Sequence, residues 1–170
     1  MKKNIIFIVI FLISFNAFSQ DFISFSDRGY IEYYDNEYLF IIILVNDLNK
    51  ALDIWNVPNV TPNIQHTTSV KVNDSISLFI VYSVANKDEI DLTYNLKLRN
   101  PNGTYSERIE YKGLIISNKI IQKRILYTAN QLPMLIFNEE DETGKYYFQI
   151  EIFDFYDLVR VFILEFNLEQ

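Results

Sequence analysis

The sequence predicts an all-β fold, an antiparallel β-sandwich that carries one short helix. The first observation is the alternation of apolar and polar residues over residues 145–153, which has the period of a half-buried strand. The second is a series of such runs separated by turn residues at intervals of roughly 8 to 12 positions, the spacing typical of β-sandwiches. The third is a clear helical spacing of apolar residues at only one place in the chain.

The first nineteen residues have the composition of an export signal. Met1-Lys2-Lys3 is basic, residues 5–13 are all apolar, and Ala17-Phe18-Ser19 fits a small-x-small cleavage site. A bilayer span needs about 18 to 20 apolar residues, so a cleaved signal peptide at 1–19 is favoured over an uncleaved anchor. The Asn- and Ile-rich composition is typical of a bacterial protein, which predicts export to the periplasm or the medium.

The remaining residues, 20–170, suffice for one domain with a sizeable core. Loss of two lysines with the leader takes the net charge from −7 to −9. Such an acidic domain is a poor partner for nucleic acid or anionic lipid, and we expect neither, nor any membrane span after cleavage. The chain has no cysteine, so stability must come from packing and not from disulfides.

Residues 20–45 predict an aromatic N-terminal hairpin. Gly29–Tyr34 and Glu37–Val45 indicate two strands around Asp35-Asn36, and Leu39–Val45 is apolar on both faces, as in a buried central strand. The aromatic side chains here are expected to pack in the core, and a sugar-stacking platform is the alternative. They are Phe22, Phe25, Tyr30, Tyr33, Tyr34, Tyr38 and Phe40.

A short helix is predicted at residues 47–55. Asn46 or Asp47 can cap its N-terminus, and Pro58 stops it. We expect Trp55 to anchor the helix on the sandwich, with an exposed ring in a ligand groove as the alternative. The apolar stripe consists of Leu48, Ala51, Leu52 and Trp55.

The main sandwich strands are predicted within residues 65–168. Residues 112–130 are ambiguous, because Leu114–Ile116 and Ile120–Tyr127 fit either strands or a helical turn. Asn100-Pro101-Asn102-Gly103 is a strong turn. The clearer runs are Thr67–Val72, Ser75–Val84, Asp91–Arg99, Thr104–Tyr111 and the two strands of a hairpin that extends from Lys145 to Leu168.

The run Glu142–Phe148 resembles the D-x-G-x-Y-x-C sequence that opens strand F of immunoglobulin domains. The resemblance implies an Ig-like sandwich of seven to nine strands, in which the hydroxyl of Tyr146 bonds back to the preceding loop as a tyrosine corner. Glu142 replaces the usual Asp, and Phe148 stands where the family has a disulfide cysteine. Tyr94 occupies the strand that would carry the buried tryptophan.

Three segments occur in an order similar to a group of uncharacterised small secreted bacterial proteins. They are Trp55-Asn56-Val57-Pro58, the turn at Asn100–Gly103 and the Asp141-x-x-Gly144-x-Tyr146 run. The likeness spans about residues 43–168 and implies fold and export, but no activity.

No pattern predicts catalytic, cofactor-binding or metal-binding residues. His66 is the single histidine and lies in an extended run without a nucleophile signature, so we expect a surface residue. The acidic turns at Glu139–Glu142 and Asp154–Asp157 could in principle offer oxygen ligands to calcium, although solvated turns are the simpler interpretation.

We therefore expect an exported, non-catalytic binding or interaction module, without a cofactor, for a protein or glycan partner. The alternatives are a carboxylate-dependent hydrolase acting on an envelope or extracellular polysaccharide, and a structural envelope protein.

Overall fold

The computed structural model describes residues 23–58, 61–85, 90–117, 126–155 and 157–170, with the side chains of residues 107–111 and 117 excepted. The predicted leader at 1–19 and most of the run Ile120–Tyr127 lie outside the described residues. The described elements are strands β1 (Ile23–Ser26), β2 (Tyr30–Tyr34), β3 (Tyr38–Val45), β4 (Ser69–Lys71), β5 (Ser75–Val84), β6 (Asp91–Arg99), β7 (Tyr105–Ser117), β8 (Tyr127–Thr128), β9 (Met134–Ile136), β10 (Gly144–Asp154) and β11 (Asp157–Glu169), and helix α1 (Leu48–Trp55).

The strands form two packed sheets, which confirms the all-β, Ig-like sandwich. The front sheet has the order β1-β11-β10-β6-β7, with β4 also on β11; the back sheet has the order β2-β3-β5-β8, with β9 also on β5. Strands β1 and β4 pair with β11 in parallel, and the other pairings are antiparallel. The described residues contain eleven strands, more than the seven to nine that were predicted. The additional strands include β1, β8 and β9, which have only four, two and three residues and are too short to leave a clear alternation in the sequence.

The core lies between the inner faces of the two sheets. The predicted alternation of the C-terminal hairpin is confirmed, since every second residue of β10 from Tyr146 is buried. Tyr94 of β6 is fully buried, at the place where the resemblance puts the tryptophan of immunoglobulin domains. Of the N-terminal aromatic residues, Tyr38 and Phe40 are buried and Tyr33 packs against the core, and Phe40 contacts Phe162 edge-on across the sandwich.

Helix α1 covers the outer face of the back sheet. Its N-cap is Asp47, whose carboxylate accepts a 2.9 Å hydrogen bond from the backbone N–H of Lys50. Ala51 is buried, and the ring of Trp55 meets Phe79 of β5 edge-on, with 5.9 Å between centroids. The expectation that Trp55 anchors the helix is confirmed. In the part of the chain that the structure describes, no helix covers the front sheet in the same way, and none is long and apolar enough to cross a membrane.

Strand β7 differs from its prediction. It was expected to end at Tyr111, but it continues to Ser117 through the segment that was ambiguous in sequence. The register with β6 shifts between Leu92 and Thr93, and Ile115 and Ile116 are consequently both buried. A bulge of this kind interrupts the period of two that identifies strands. Strand β4 is also shorter than the predicted Thr67–Val72.

Candidate ligand-binding face

The outer face of the front sheet carries a network of polar side chains around Glu151. The ammonium of Lys97, on the neighbouring strand β6, lies 2.9 Å from the Glu151 carboxylate. Gln149 donates a 2.7 Å hydrogen bond to the same carboxylate from its side-chain amide. The Gln149 carbonyl oxygen in turn accepts a 2.7 Å hydrogen bond from the hydroxyl of Tyr105 on β7. The network therefore spans three adjacent strands and fixes its side chains before any ligand arrives.

Glu151 is held in its ionised form. Partial burial opposes ionisation, but the hydrogen bonds from Lys97 and Gln149, the Lys97 charge and a hydrogen bond from Asn95 outweigh it and lower the pKa of the carboxyl. The carboxylate therefore serves as a fixed acceptor at the centre of the face.

Two tyrosines and an arginine form one end of this outer face. In the sheet register, Arg99 of β6 stands between Tyr147 of β10 and Tyr105 of β7. The Arg99 guanidinium lies 5.8 Å from the centre of the Tyr147 ring, and its Nε donates to the carbonyl of Gly103. Tyr105 is half exposed, so this end presents an aromatic surface to solvent.

A groove of about 480 Å³ forms the other end of the face. Phe153 and Leu114 supply its apolar surface, and Thr93 stands between them in the sheet register. Register shifts occur beside Phe153 in its pairing with β11 and beside Thr93 in its pairing with β7. Bulges bend and twist a sheet locally, which accounts for a hollow at this place. The described residues that line the groove are Thr93, Asn95, Lys112, Gly113, Leu114, Gln131 and Phe153.

Gln131 closes the groove from a distant part of the chain. Its side-chain carbonyl accepts a 2.9 Å hydrogen bond from the backbone N–H of Leu114, and its own N–H donates to the Leu114 carbonyl at 3.1 Å. Its backbone carbonyl accepts a 3.1 Å hydrogen bond from the hydroxyl of Tyr94, which is buried in the core. Gln131 therefore acts as a short extension of the sheet beyond β7, and its position is tied to the core.

The acidic turns are placed differently from one another. Asp154 is buried, and its two oxygens accept hydrogen bonds from the Tyr38 hydroxyl (2.6 Å) and the Asp91 backbone N–H (3.1 Å). This carboxylate joins the two sheets. Asp157 is exposed, and the loop Glu139–Glu142 forms a turn closed by Asn138 and Asp141. Among the described residues, no three acidic or histidine side chains come together in a group that could hold a metal ion.

The remaining candidates from the sequence lie away from the front sheet's outer face. His66 is exposed, as expected, and its ring centre is 5.1 Å from that of Tyr30. Of the N-terminal aromatic residues, Tyr38 and Phe40 are buried, as the core interpretation predicts, whereas Tyr34 and Phe25 are exposed.

The groove residues Asn95, Lys112, Gln131 and Phe153 were not singled out in the sequence. One signal was present: Phe153 is an aromatic residue on the otherwise polar side of β10, where the outward positions of a surface strand are normally polar. The contribution of Gln131 has no local signal, because it depends on a tertiary contact.

Comparisons with known proteins give distant structural likenesses only. No family model matches the chain, and no curated protein matches it. Its structure is similar to a family 123 glycoside hydrolase from Clostridium perfringens (13% identity, TM-score 0.40, 77% of this chain and 27% of that one) and to the alkylpurine DNA glycosylase AlkC from Pseudomonas fluorescens (7%, 0.37, 61% and 28%). It is also similar to an immunoglobulin-like protein from Pseudomonas aeruginosa, with 16% identity and a TM-score of 0.33 over 64% of this chain and 83% of that one. The chain thus spans less than a third of the first two, and likenesses of this strength carry no argument about activity.

Proposed function

We propose that the protein is an exported, non-catalytic binding module, and that it binds its partner through the outer face of the front sheet. The observation that carries the proposal is the difference between the two outer faces. Helix α1 packs on the outer face of the back sheet, whereas the front sheet presents an ordered polar network between an aromatic end and a groove.

The chemistry of this face suits binding. Aromatic surface combined with fixed hydrogen-bonding groups is the usual composition of a recognition site. Export is proposed from the leader sequence at residues 1–19.

A hydrolase is less well supported at this face. A glycosidase of the common type needs one carboxylic acid that stays protonated and a second carboxylate across the bond. Glu151 has a lowered pKa and is surrounded by donors, so it is unsuited to donate a proton. Glu165, on the neighbouring strand, is in an ion pair with Lys145 at 2.8 Å.

The test compares one exposed tyrosine on each sheet. Tyr105 on the front sheet is 52% exposed and Tyr34 on the back sheet is 74% exposed, so Tyr105→Ser and Tyr34→Ser remove similar side chains from opposite sides. The tagged exported protein and both variants are used to capture partners from the cells that produce it, and bound protein and glycan are quantified.

We expect Tyr105→Ser to reduce recovery of the partner and Tyr34→Ser to leave it unchanged. Loss of the partner in Tyr34→Ser alone would place the binding surface on the back sheet and contradict the proposal. Turnover of a polysaccharide by the purified protein would favour the hydrolase instead.

A further inference from the structure

We propose that the groove beside Phe153 binds one acidic sugar unit, a uronic acid residue of an anionic polysaccharide. This inference rests on the proposed binding function and specifies its ligand. Three features of the groove support this ligand: its surplus of hydrogen-bond donors, its aromatic surface, and the cation Lys112 at its edge.

The polar groups of the groove are mainly donors. Gln131 already uses its side-chain oxygen to accept from Leu114, which leaves its amide N–H groups for a ligand. Lys112 can only donate, and the Thr93 hydroxyl can donate as well as accept. Asn95 acts as a donor toward Glu151 and helps to lower the pKa of that carboxyl, which leaves its side-chain oxygen as an acceptor in the groove. A ligand rich in acceptor oxygens therefore fits better than one rich in donors.

The charge that the described lining residues bring to the groove is positive and comes from Lys112. Lys112 is exposed, and among the described residues that line the groove it is the only charged one. Among the described side chains, no carboxylate forms an ion pair with it. The neighbouring Glu151 is compensated by Lys97 and by two amides. Glu110, two residues before Lys112 on β7, stands opposite Lys97 in the sheet register, and acidic groups farther away than about 8 Å are screened at physiological salt. A single carboxylate on the ligand is therefore matched by a single ammonium.

Phe153 provides the surface for the ring of the ligand. The side chain points outward from β10 and is only half-buried, beside Leu114 of β7. The apolar face of a pyranose ring can lie on such a surface while its hydroxyls and carboxylate reach the polar rim. The volume of about 480 Å³ falls within the range of small-ligand sites, and the face continues past Glu151 and Gln149 toward Tyr105. The open direction along the sheet suits a chain of sugars, in which one unit occupies the groove.

The experiment is calorimetric titration of the full exported chain with oligogalacturonate and with the same oligosaccharide after reduction of its carboxyl groups. Lys112→Gln removes the proposed cation, and Phe153→Ala removes the ring. Lys145→Gln is the matched control, because Lys145 is an exposed lysine on the same sheet face that does not line the groove. Circular dichroism confirms that each variant is folded.

We expect the unmodified protein to bind the acidic oligosaccharide and Lys112→Gln to raise the Kd about 10- to 100-fold, the value of a charged hydrogen bond. Phe153→Ala should also weaken binding, whereas Lys145→Gln should leave the Kd unchanged. The Kd of the unmodified protein for the reduced oligosaccharide should be as high as the Kd of Lys112→Gln for the acidic oligosaccharide. Alginate and hyaluronate oligosaccharides, tested in the same way, extend the probe to other uronates.

Three results would overturn the inference: no binding of any uronate oligosaccharide, equal affinity for the reduced form, or equal losses in Lys112→Gln and Lys145→Gln. These results leave the proposed function standing if the partner captured from cells is still lost in Tyr105→Ser. If neither Tyr105→Ser nor Phe153→Ala affects capture, the binding face itself is refuted.

Discussion

The hydroxyl of Tyr146 donates a 2.7 Å hydrogen bond to the backbone carbonyl of Glu142, in the loop that precedes its own strand. The ring is buried against Phe137 and Phe166, so the hydroxyl joins the loop to the core. This is the geometry of the tyrosine corner that the Glu142–Phe148 run predicts. The sequence resemblance is confirmed at the level of this contact, although the disulfide cysteine is replaced by Phe148.

Replacing Tyr146 by Phe should lower the free energy of unfolding by about 1 to 2 kcal/mol, because the ring stays and only the hydrogen bond is lost. Tyr147→Phe is the control. Tyr147 is the next residue and faces outward, so Tyr147→Phe should lower the free energy of unfolding by only a few tenths of a kcal/mol. Urea unfolding measures both. Equal losses would contradict the corner.

Much of the fold could be predicted because its signals are local. The alternation in β6 and β10, the cap at Asp47 and the corner at Tyr146 each depend on a few neighbouring residues. The pairing of β1 with β11 could not be predicted in this way, since a parallel contact between residues 23–26 and 161–164 has no turn to announce it.

The groove is the least predictable part of the molecule for the same reason. Its floor depends on bulges beside Thr93 and Phe153, and its wall on Gln131, which is 17 residues from Leu114 along the chain. Bulges break the alternation that identifies strands, and a long-range hydrogen bond leaves no periodic pattern.

Gly113 should be intolerant of a side chain although its backbone is not in the left-handed region. A Cβ atom there would lie 2.1 Å from the ring of Tyr94, which is fully buried and bonded to Gln131. Gly113→Ala should therefore destabilise the fold by about 1 to 3 kcal/mol, as overpacking does. Thermal and urea unfolding measure the loss.

Combining Gly113→Ala with Tyr94→Leu provides the control, because the smaller side chain makes room for the methyl group. We expect the double variant to lose less stability than the sum of the two single variants. Strict additivity would show that the two residues do not compete for the same space.

Asp154 should act as a structural carboxylate. Asp154→Ala leaves the Tyr38 hydroxyl and the Asp91 N–H without this acceptor, which should lower the unfolding free energy by about 2 to 5 kcal/mol. Asp157→Ala removes an exposed carboxylate from the same hairpin and should change it by less than about 0.5 kcal/mol. A comparable loss in both variants, measured by denaturant unfolding, would argue against the buried role of Asp154.

The Glu151 network predicts a dependence of stability on pH. Because the pKa of Glu151 is lower in the fold than its ordinary value of 4.5, ionisation stabilises the fold above pH 4.5, and this stabilisation is lost as the pH falls through the folded pKa. Glu151→Gln should therefore be less stable than the unmodified protein near neutral pH, and the difference should shrink in acid.

Glu165→Gln is the matched variant for this measurement. It breaks an ion pair whose lysine is largely exposed and screened by solvent, so Glu165→Gln should change the stability little from neutral to acidic pH. A stability difference for Glu151→Gln that is constant from neutral to acidic pH would contradict the role given to its carboxylate.

The most direct test of the binding face is a nuclear magnetic resonance titration of the labelled protein with the partner captured from its own cells. If the front sheet binds the partner, the side-chain amide signals of Asn95, Gln131 and Gln149 should shift as the partner is added. The backbone amide signals of helix α1 should stay unchanged. Shifts concentrated on α1 and around Tyr34, with Asn95, Gln131 and Gln149 unchanged, would show that the partner binds the back sheet and would contradict the account.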